Sequence, residues 1–133
     1  MSTFIDKLAL FSISDHKVLA VRSHGKSLFY MPGGKREFGE TDQQALIREI
    51  DEELAVTLKP QTIQYATTLE AQADGKPEGT LVRLTCYFAE FEGNPTAASE
   101  IAELRYLNMT DLSVCSKAAV FALNWLNLNQ YID

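Results

Sequence analysis

The sequence has few cysteines, no excess of basic residues and no long apolar run, and each of these gaps excludes a class of protein. Its two cysteines, Cys86 and Cys115, lie far apart without metal-ligand spacing, so we expect reduced core thiols rather than a disulfide framework. The net charge of −6, from 18 acids and 12 bases, argues against a nucleic-acid polymer as partner, because binding DNA or RNA needs a basic face. No apolar stretch approaches the roughly 18–20 residues of a membrane span, so no membrane partner is expected.

The length and composition are those of one globular domain. The chain has 133 residues, of which 46% are hydrophobic and 23% charged, and we expect a single domain over residues 1–133. The opening residues alternate in polarity and carry Asp6 and Asp15, which indicates a strand rather than a secretion signal. Together with the expected reduced thiols, this favours a cytoplasmic protein. The sequence leaves open whether it is a monomer or a homodimer.

The apolar pattern changes period along the chain and predicts an α/β fold. A helical period covers residues 41–54, with Thr41 as N-cap, and a second helix is expected from Thr110 or Ser113 to about Tyr131. The remaining apolar runs are typical of strands: 3–13, 17–23, 27–31, 61–73, 80–93 and 101–108, with a hairpin tip at 74–79. One mixed sheet between two helices is the simplest layered arrangement.

The first predicted helix carries an unusual stripe of acids. Glu49, Glu52 and Glu53 stand at i, i+3 and i+4, where like charges destabilise a helix by roughly 0.2–0.5 kcal/mol per pair. They also lie in its C-terminal half, where the helix dipole disfavours anions. A solvated acidic face, with Arg48 paired to Glu52 or Asp51, is one interpretation. A bound cation is the better one, and three carboxylates without Cys or His favour Mg²⁺ or Mn²⁺.

The loop directly before this helix, PGGKREFG at 32–39, is rich in glycine and contains two basic residues. Flexible backbone and positive charge suit an anionic ligand, although such a loop is a weak signal by itself. Magnesium usually completes its shell with water and substrate phosphates, so loop and helix together indicate a phosphate-containing ligand.

The spacing across loop and helix resembles the Nudix box, Gly-x5-Glu-x7-Arg-Glu-U-x-Glu-Glu-x-Gly-U, in which U is a bulky aliphatic residue. The matching segment is Gly34-x5-Glu40-x7-Arg48-Glu49-Ile50-Asp51-Glu52-Glu53-Leu54-Ala55-Val56. Pro32, Gly33 and Lys35 also match the lead-in of mutator-type members. The resemblance implies a Nudix-type α/β/α sandwich, with a mixed sheet between two helices. It also implies Mg²⁺-dependent hydrolysis of a nucleoside diphosphate linked to another group.

The resemblance also implies roles for individual residues of the box. Glu49, Glu52 and Glu53 would be the metal ligands, and one of them would instead be the general base. Glu40 would support the metal site from the loop. Arg48, pointing away from the acidic stripe, would pair with a loop carboxylate and hold the geometry.

Residues around the box receive roles in the same way. Gly33, Gly34 and Gly39 would let the loop fold back over the helix, next to the substrate. Lys35 or Arg22 would meet phosphate charge. Glu100, with Glu103 as its alternative, would add a further acid to the metal site. The aromatic candidates for a base pocket, which are equally candidates for the core, are Phe29, Tyr30, Tyr87 and Phe88.

Ala55 departs from the box, which has glycine at this position. Alanine in the left-handed conformation costs roughly 1–2 kcal/mol, so we expect the helix to run a residue or two further.

Three functions fit this pattern. The first is a Mg²⁺-dependent pyrophosphohydrolase acting on a small nucleotide, with a nucleoside triphosphate favoured by the short 23–28 turn. The second is a non-catalytic Nudix-fold module that senses a ligand or binds a protein, although such modules usually lose box carboxylates. The third is a Nudix hydrolase of a non-nucleotide diphosphate.

Overall fold

A computed structural model describes residues 3–133 and shows four strands before a first helix and three more strands before a second. The strands are β1 (Thr3–Phe11), β2 (Ile13–Ser14), β3 (Lys17–Ser23), β4 (Gly33–Gly34), β5 (Gln64–Gln72), β6 (Thr80–Phe88) and β7 (Ile101–Leu107). The helices are α1 (Asp42–Leu54) and α2 (Lys117–Leu128), and 3-10 turns occupy Pro60–Thr62 and Met109–Val114. Met1 and Ser2, part of the expected 1–133 domain, lie outside the described residues.

The strands form two sheets rather than the single sheet expected. A mixed sheet has the order β4-β1-β6-β5, in which β1 runs parallel to β6, and an antiparallel sheet has the order β2-β3-β7. The sheets separate because β1 and β3, although close in sequence, pair with different strands. The Leu19 N–H still donates to the Ser12 carbonyl at 2.9 Å, where the chain passes from one sheet to the other.

Helices cover both faces of this strand layer. Leu8 and Leu10 of β1 belong to one buried cluster with Leu46 and Ile50 of α1. The alternate β1 residues belong to a second cluster, which contains the buried face of α2. This explains why β1 ends in a continuous apolar run, since its side chains are buried on both faces. The predicted α/β/α fold class is confirmed, and both cysteines are free and buried, as predicted.

The first helix begins where the sequence predicts. The Thr41 hydroxyl accepts a hydrogen bond from the Gln44 N–H, and the Gln44 side chain accepts from the Thr41 N–H. These reciprocal bonds form a capping box, which satisfies two donors that the helix itself cannot pair.

The expectation that α1 runs past Ala55 is wrong. The helix ends at Leu54, and Ala55 takes the left-handed conformation with φ 57° and ψ 34°. A distant loop fixes the path of the chain at the end of the helix. The Leu54 carbonyl accepts from the Thr96 N–H at 2.9 Å, and the Glu53 carbonyl accepts from the Ala98 N–H at 3.0 Å. These loop contacts hold the chain in a conformation that alanine disfavours.

The second helix starts later than predicted. Thr110 lies in the 3-10 turn, and Ser116 is the N-cap of α2, with its hydroxyl accepting from the Ala119 N–H. Pairing with Phe29 interrupts the helix, since the Phe29 N–H donates to Val114 and the Phe29 carbonyl accepts from Ser116. The apolar run 27–31 therefore forms isolated bridges instead of a strand. No helix among residues 3–133 is long and apolar enough to cross a membrane.

We predict that Ala55→Gly raises the free energy of unfolding by about 1 kcal/mol. Glycine removes the strain of the left-handed conformation, and its greater freedom in the unfolded chain offsets part of that gain. Denaturant unfolding measures the change. The matched control is Ala45→Gly, inside the same helix and fully buried, which should lower the free energy by about 1 kcal/mol or more. A loss of stability in both variants would contradict the explanation that the left-handed conformation strains Ala55.

Candidate active site

A cleft of about 740 Å³ opens beside the Gly-rich loop. Its walls come from β1, β4, β6, the acidic stripe of α1, the 74–76 hairpin tip and the first turn of α2. Its lining includes acids from several elements: Glu49, Glu53, Asp74 and Glu100. It also includes four lysines: Lys7, Lys26, Lys35 and Lys76. The cleft therefore combines oxygen ligands with cationic groups, as a metal and phosphate site requires.

Two glycines let the loop pack directly against the acidic helix. Gly33 has φ 142°, and a side chain there would collide with the Leu8 carbonyl. Its N–H donates to Oε1 of Glu53 at 2.9 Å. A Cβ on Gly34 would collide with the Glu49 carboxylate. Only residues without side chains allow β4 to pair with β1 and to approach both glutamates.

Glu53 is the most deeply placed acid of the cleft, with 2% of its surface exposed. Its pKa is raised to about 8, mainly by burial and also by the nearby carboxylates of Glu100 and Glu49, against the opposing effect of the Gly33 N–H. The Ser99 hydroxyl is the main cause of a lowered pKa at Glu100, which also hydrogen-bonds Glu53. Glu53 thus keeps a proton near neutral pH unless a cation replaces it.

Arg48 clamps the loop onto the helix through Glu40. Its Nε lies 2.7 Å from Oε2 of Glu40, its Nη2 lies 2.9 Å from Oε1, and Nη2 also donates to the Lys35 carbonyl at 3.0 Å. The Arg48 guanidinium lowers the pKa of Glu40 to about 2. Both Glu40 oxygens are thereby engaged, so Glu40 braces the loop, and its expected support of the metal site stays a prediction.

The structure differs from the expectation that Arg48 points away from the acidic stripe. Its Nη1 lies 2.7 Å from Oε1 of Glu49 and 3.5 Å from Oε1 of Glu52. The i,i+4 spacing puts Glu52 on the same helix face as Arg48, and the long arginine side chain also bends to the adjacent Glu49. Arg48 therefore connects loop and stripe, and its positive charge offsets the repulsion between the glutamates.

The acidic residues fit a metal ion by their chemistry, although they do not enclose one. Among residues 3–133, no three acidic, histidine or cysteine side chains converge on a common metal position. Glu49 is held by Arg48, and the side chain of Glu52 is 53% exposed. All the donors are carboxylate oxygens, and the carboxylates of Glu100 and Glu49 add to the effect of burial in raising the pKa of Glu53. A hard divalent cation is the ligand that such a set accepts.

The structure separates the two acids that the sequence left as alternatives. Glu100 lies in the cleft beside Glu53, whereas Glu103 pairs with Arg22 at 3.3 Å and with Arg105 at 3.1 Å. Arg22 also donates to the Lys26 carbonyl at 2.9 Å. Among the described residues, Arg22 is therefore placed in a side-chain network outside the cleft lining, which corrects the expectation that it faces phosphate.

Sequence reasoning missed Lys7, which projects into the cleft from β1. The available signal was its strand register, since Lys7 shares a face with Ile5 and Ala9 in an otherwise apolar row. It also missed a second brace on the loop, in which Arg36 and Tyr87 both donate to the Asp42 carboxylate. No sequence spacing indicates that brace, because Tyr87 comes from a distant strand.

Of the aromatic candidates, only Tyr30 lines the cleft, and its hydroxyl is hydrogen-bonded to Ser23. Phe29 is 2% exposed and belongs to the core. Phe88 pairs with Phe11 at the end of β1 and packs against Trp125, away from the cleft lining.

Known proteins resemble this chain in sequence and in structure. The family model described as NUDIX domain matches residues 8–128. An ADP-ribose pyrophosphatase of Methanocaldococcus jannaschii is 26% identical over 101 residues, which cover 74% of this chain and 58% of that protein. The chain thus spans somewhat more than half the length of this relative.

Two solved structures share the fold. The solution structure of the E. coli ORF135 protein has a TM-score of 0.74 and 23% identity, covering 96% of this chain and 91% of that one. The E. coli dihydroneopterin triphosphate pyrophosphohydrolase has a TM-score of 0.69 and 17% identity, covering 97% and 99%. The family match covers most of the sequence, including the loop and helix that build the cleft. The chain belongs to the Nudix hydrolase family, whose members act on nucleoside diphosphate derivatives and generally use divalent metals.

Proposed function

We propose that this protein is a Mg²⁺-dependent pyrophosphohydrolase that cleaves a nucleoside diphosphate linked to another group, with a nucleoside triphosphate as the favoured substrate. The observation that carries the proposal is the contact of Gly33 and Gly34 with Glu53 and Glu49, which puts two carboxylates at the edge of a lysine-lined cleft. Manganese, an oxygen-preferring ion of similar chemistry, is the alternative metal.

We assign the metal to Glu49, Glu52 and Glu53, with Glu100 as a further ligand. Support comes from the cleft position of Glu49, Glu53 and Glu100 and from their all-oxygen chemistry. Arg48 and Glu40 hold the loop and helix together as positioning residues. Gly33 and Gly34 bring the loop backbone to the substrate, and Lys35 holds phosphate.

The chain's own groups would perform most of the reaction. A bound divalent ion supplies charge neutralisation at the phosphate and lowers the pKa of water. One carboxylate of the set accepts the proton of the attacking water. Lys35 stands at the cleft wall, where its ammonium can hold phosphate oxygens as charge moves to the leaving group. Because the loop is braced by Arg48, these groups keep their positions when the substrate enters.

Three alternatives are to be distinguished from this function. ADP-ribose is the alternative substrate, because the M. jannaschii relative is named for that activity. A non-catalytic module is disfavoured because the acids at positions 40, 49, 52 and 53 and the arginine at 48 are all retained. If the substrate is a non-nucleotide diphosphate, the protein would turn over no compound of a nucleotide panel. We further propose that residues 1–133 act as one domain, in the cytoplasm, as a monomer or a homodimer.

We expect Glu49→Gln, Glu52→Gln and Glu53→Gln each to lower kcat by roughly 100-fold or more, because each removes a charged ligand of the metal. The assay incubates the protein with Mg²⁺ and a panel of nucleoside triphosphates, ADP-ribose and dinucleotides, and measures phosphate and pyrophosphate. Chelator should abolish turnover, and Mg²⁺ should restore it.

The matched control is Asp51→Asn, an exposed acid on the same helix that is absent from the cleft lining. It should keep nearly full activity. Full activity in Glu52→Gln would remove Glu52 from the ligand set and leave it as a partner of Arg48. Full activity in all three glutamine variants would refute the proposed metal site.

We expect the metal-free protein to lose stability as pH rises from about 4.5 to about 8. Glu53 has a raised pKa in the folded state, so the folded protein binds a proton that the unfolded chain releases, and deprotonation is unfavourable for folding. The loss should be on the order of a few kcal/mol, measured by denaturant unfolding in chelator at several pH values.

Glu53→Gln should flatten this pH dependence, because glutamine resembles the protonated acid and still accepts from Gly33. Asp51→Asn should retain it. Adding Mg²⁺ at pH 8 should raise the free energy of unfolding of the wild type more than that of Glu53→Gln. Equal pH slopes in wild type and Glu53→Gln would show that another group is responsible.

A further inference from the structure

Lys7 is a cation on the apolar inner face of a strand. It pairs in register with Leu84 of β6, and its neighbours on the same face of β1 are Ile5 and Ala9. Its side chain is half-buried and lines the cleft. Among residues 3–133, no carboxylate lies within 4.0 Å of its ammonium. A partly desolvated lysine without a close counter-ion is unfavourable, so the site is better explained by an anion that arrives with the substrate.

The position of Lys7 is one residue from the carboxylate edge of the cleft. The next residue, Leu8, pairs with Gly34, which packs against Glu49. Successive residues of a strand are about 3.3 Å apart, so the long lysine side chain reaches substrate groups adjoining the diphosphate. Lys7 therefore stands where a substrate continues beyond the phosphates that the glutamates hold through a metal.

Further lysines face the same space. Burial is the main cause of the lowered pKa of Lys7, and the ammoniums of Lys35 and Lys76 lower it further, against the effect of Glu53 and Glu49. These three lysines come from β1, the Gly-rich loop and the hairpin tip. Their mutual repulsion would be relieved by a polyanion, whereas a neutral base or sugar would leave it in place.

Arg22 is not free for this task, because Glu103 and the Lys26 carbonyl already hold it. We propose that Lys7 is a specificity-determining residue that, with Lys76 across the cleft, binds the additional phosphate of a nucleoside triphosphate. The resulting preference is for a chain of three phosphates over a diphosphate joined to an uncharged group. This inference rests on the proposed function, because it assumes that a phosphate chain enters the cleft.

The binding test uses inorganic tripolyphosphate and pyrophosphate as probes, each with Ca²⁺, and measures affinity by calorimetry. We expect the wild type to bind tripolyphosphate more tightly than pyrophosphate. Lys7→Met keeps the length of the side chain and removes its charge, and it should weaken tripolyphosphate binding roughly tenfold to a hundredfold, the range of a charge-assisted hydrogen bond. Pyrophosphate binding should change less than about threefold. Lys7→Arg should recover most of the loss.

The control is Lys17→Met, an exposed lysine at the far end of β3, which should bind both probes like the wild type. With a nucleoside triphosphate as substrate, Lys7→Met should raise KM by a similar factor and leave kcat nearly unchanged, while KM for ADP-ribose stays near the wild-type value. Equal weakening of both probes, or none, would overturn the inference. A changed preference among nucleobases, with phosphate binding intact, would also overturn it, since Lys7 would then contact the base.

The two failures are distinguishable. If the wild type turns over no nucleotide but Lys7 still controls tripolyphosphate binding, the hydrolase proposal fails and the phosphate-chain site stands. If nucleotides are hydrolysed and the Lys7 variants leave triphosphate affinity unchanged, the hydrolase proposal stands and the role of Lys7 falls.

Discussion

The hydrogen bond from the Gly33 N–H to the buried carboxylate of Glu53 is the contact on which the rest of the site depends. It joins the edge of the mixed sheet to the last turn of α1, and it needs a residue without a side chain because β1 lies immediately behind. Once this contact forms, Gly34 meets Glu49, and Arg48 can reach Glu40 across the loop. The helix and loop are thus one unit, in which moving either displaces the carboxylates.

That arrangement gathers negative charge where the fold disfavours it. Neighbouring carboxylates repel each other, the helix dipole opposes them, and within residues 3–133 Arg48 supplies the one guanidinium close enough to compensate. A fold that needed only stability would replace these acids with apolar or neutral residues. These acids are best understood as a site that a divalent cation completes, and without the cation they lower the folding stability.

Local patterns made much of this molecule predictable. The acidic stripe, the Thr41 cap and the glycines of the loop act within about 25 residues of each other, so helical period and spacing determine them. The partners of Arg22 and Tyr87 were not predictable, since Glu103 reaches Arg22 through the pairing of β3 with β7 and Asp42 reaches Tyr87 through the placement of α1 beside β6. The end of α1 at Ala55 was not predictable for the same reason, because contacts with the distant loop at 94–99 hold Ala55 in a backbone conformation that alanine disfavours. Division of the strands into two sheets likewise depends on which long-range pairings form.

The cleft contains a group of mutually repelling carboxylates and a group of mutually repelling lysines, and each group indicates a property of the ligand. Carboxylates crowd one edge and lysines line the adjoining wall, yet Lys7 and the glutamates do not neutralise each other by direct pairing. A metal ion alone would satisfy the acids and increase the repulsion on the lysines, and a phosphate chain alone would do the reverse. A metal bound to a polyphosphate satisfies both at once. The charge pattern therefore favours a substrate whose phosphate chain extends from the glutamates to Lys7.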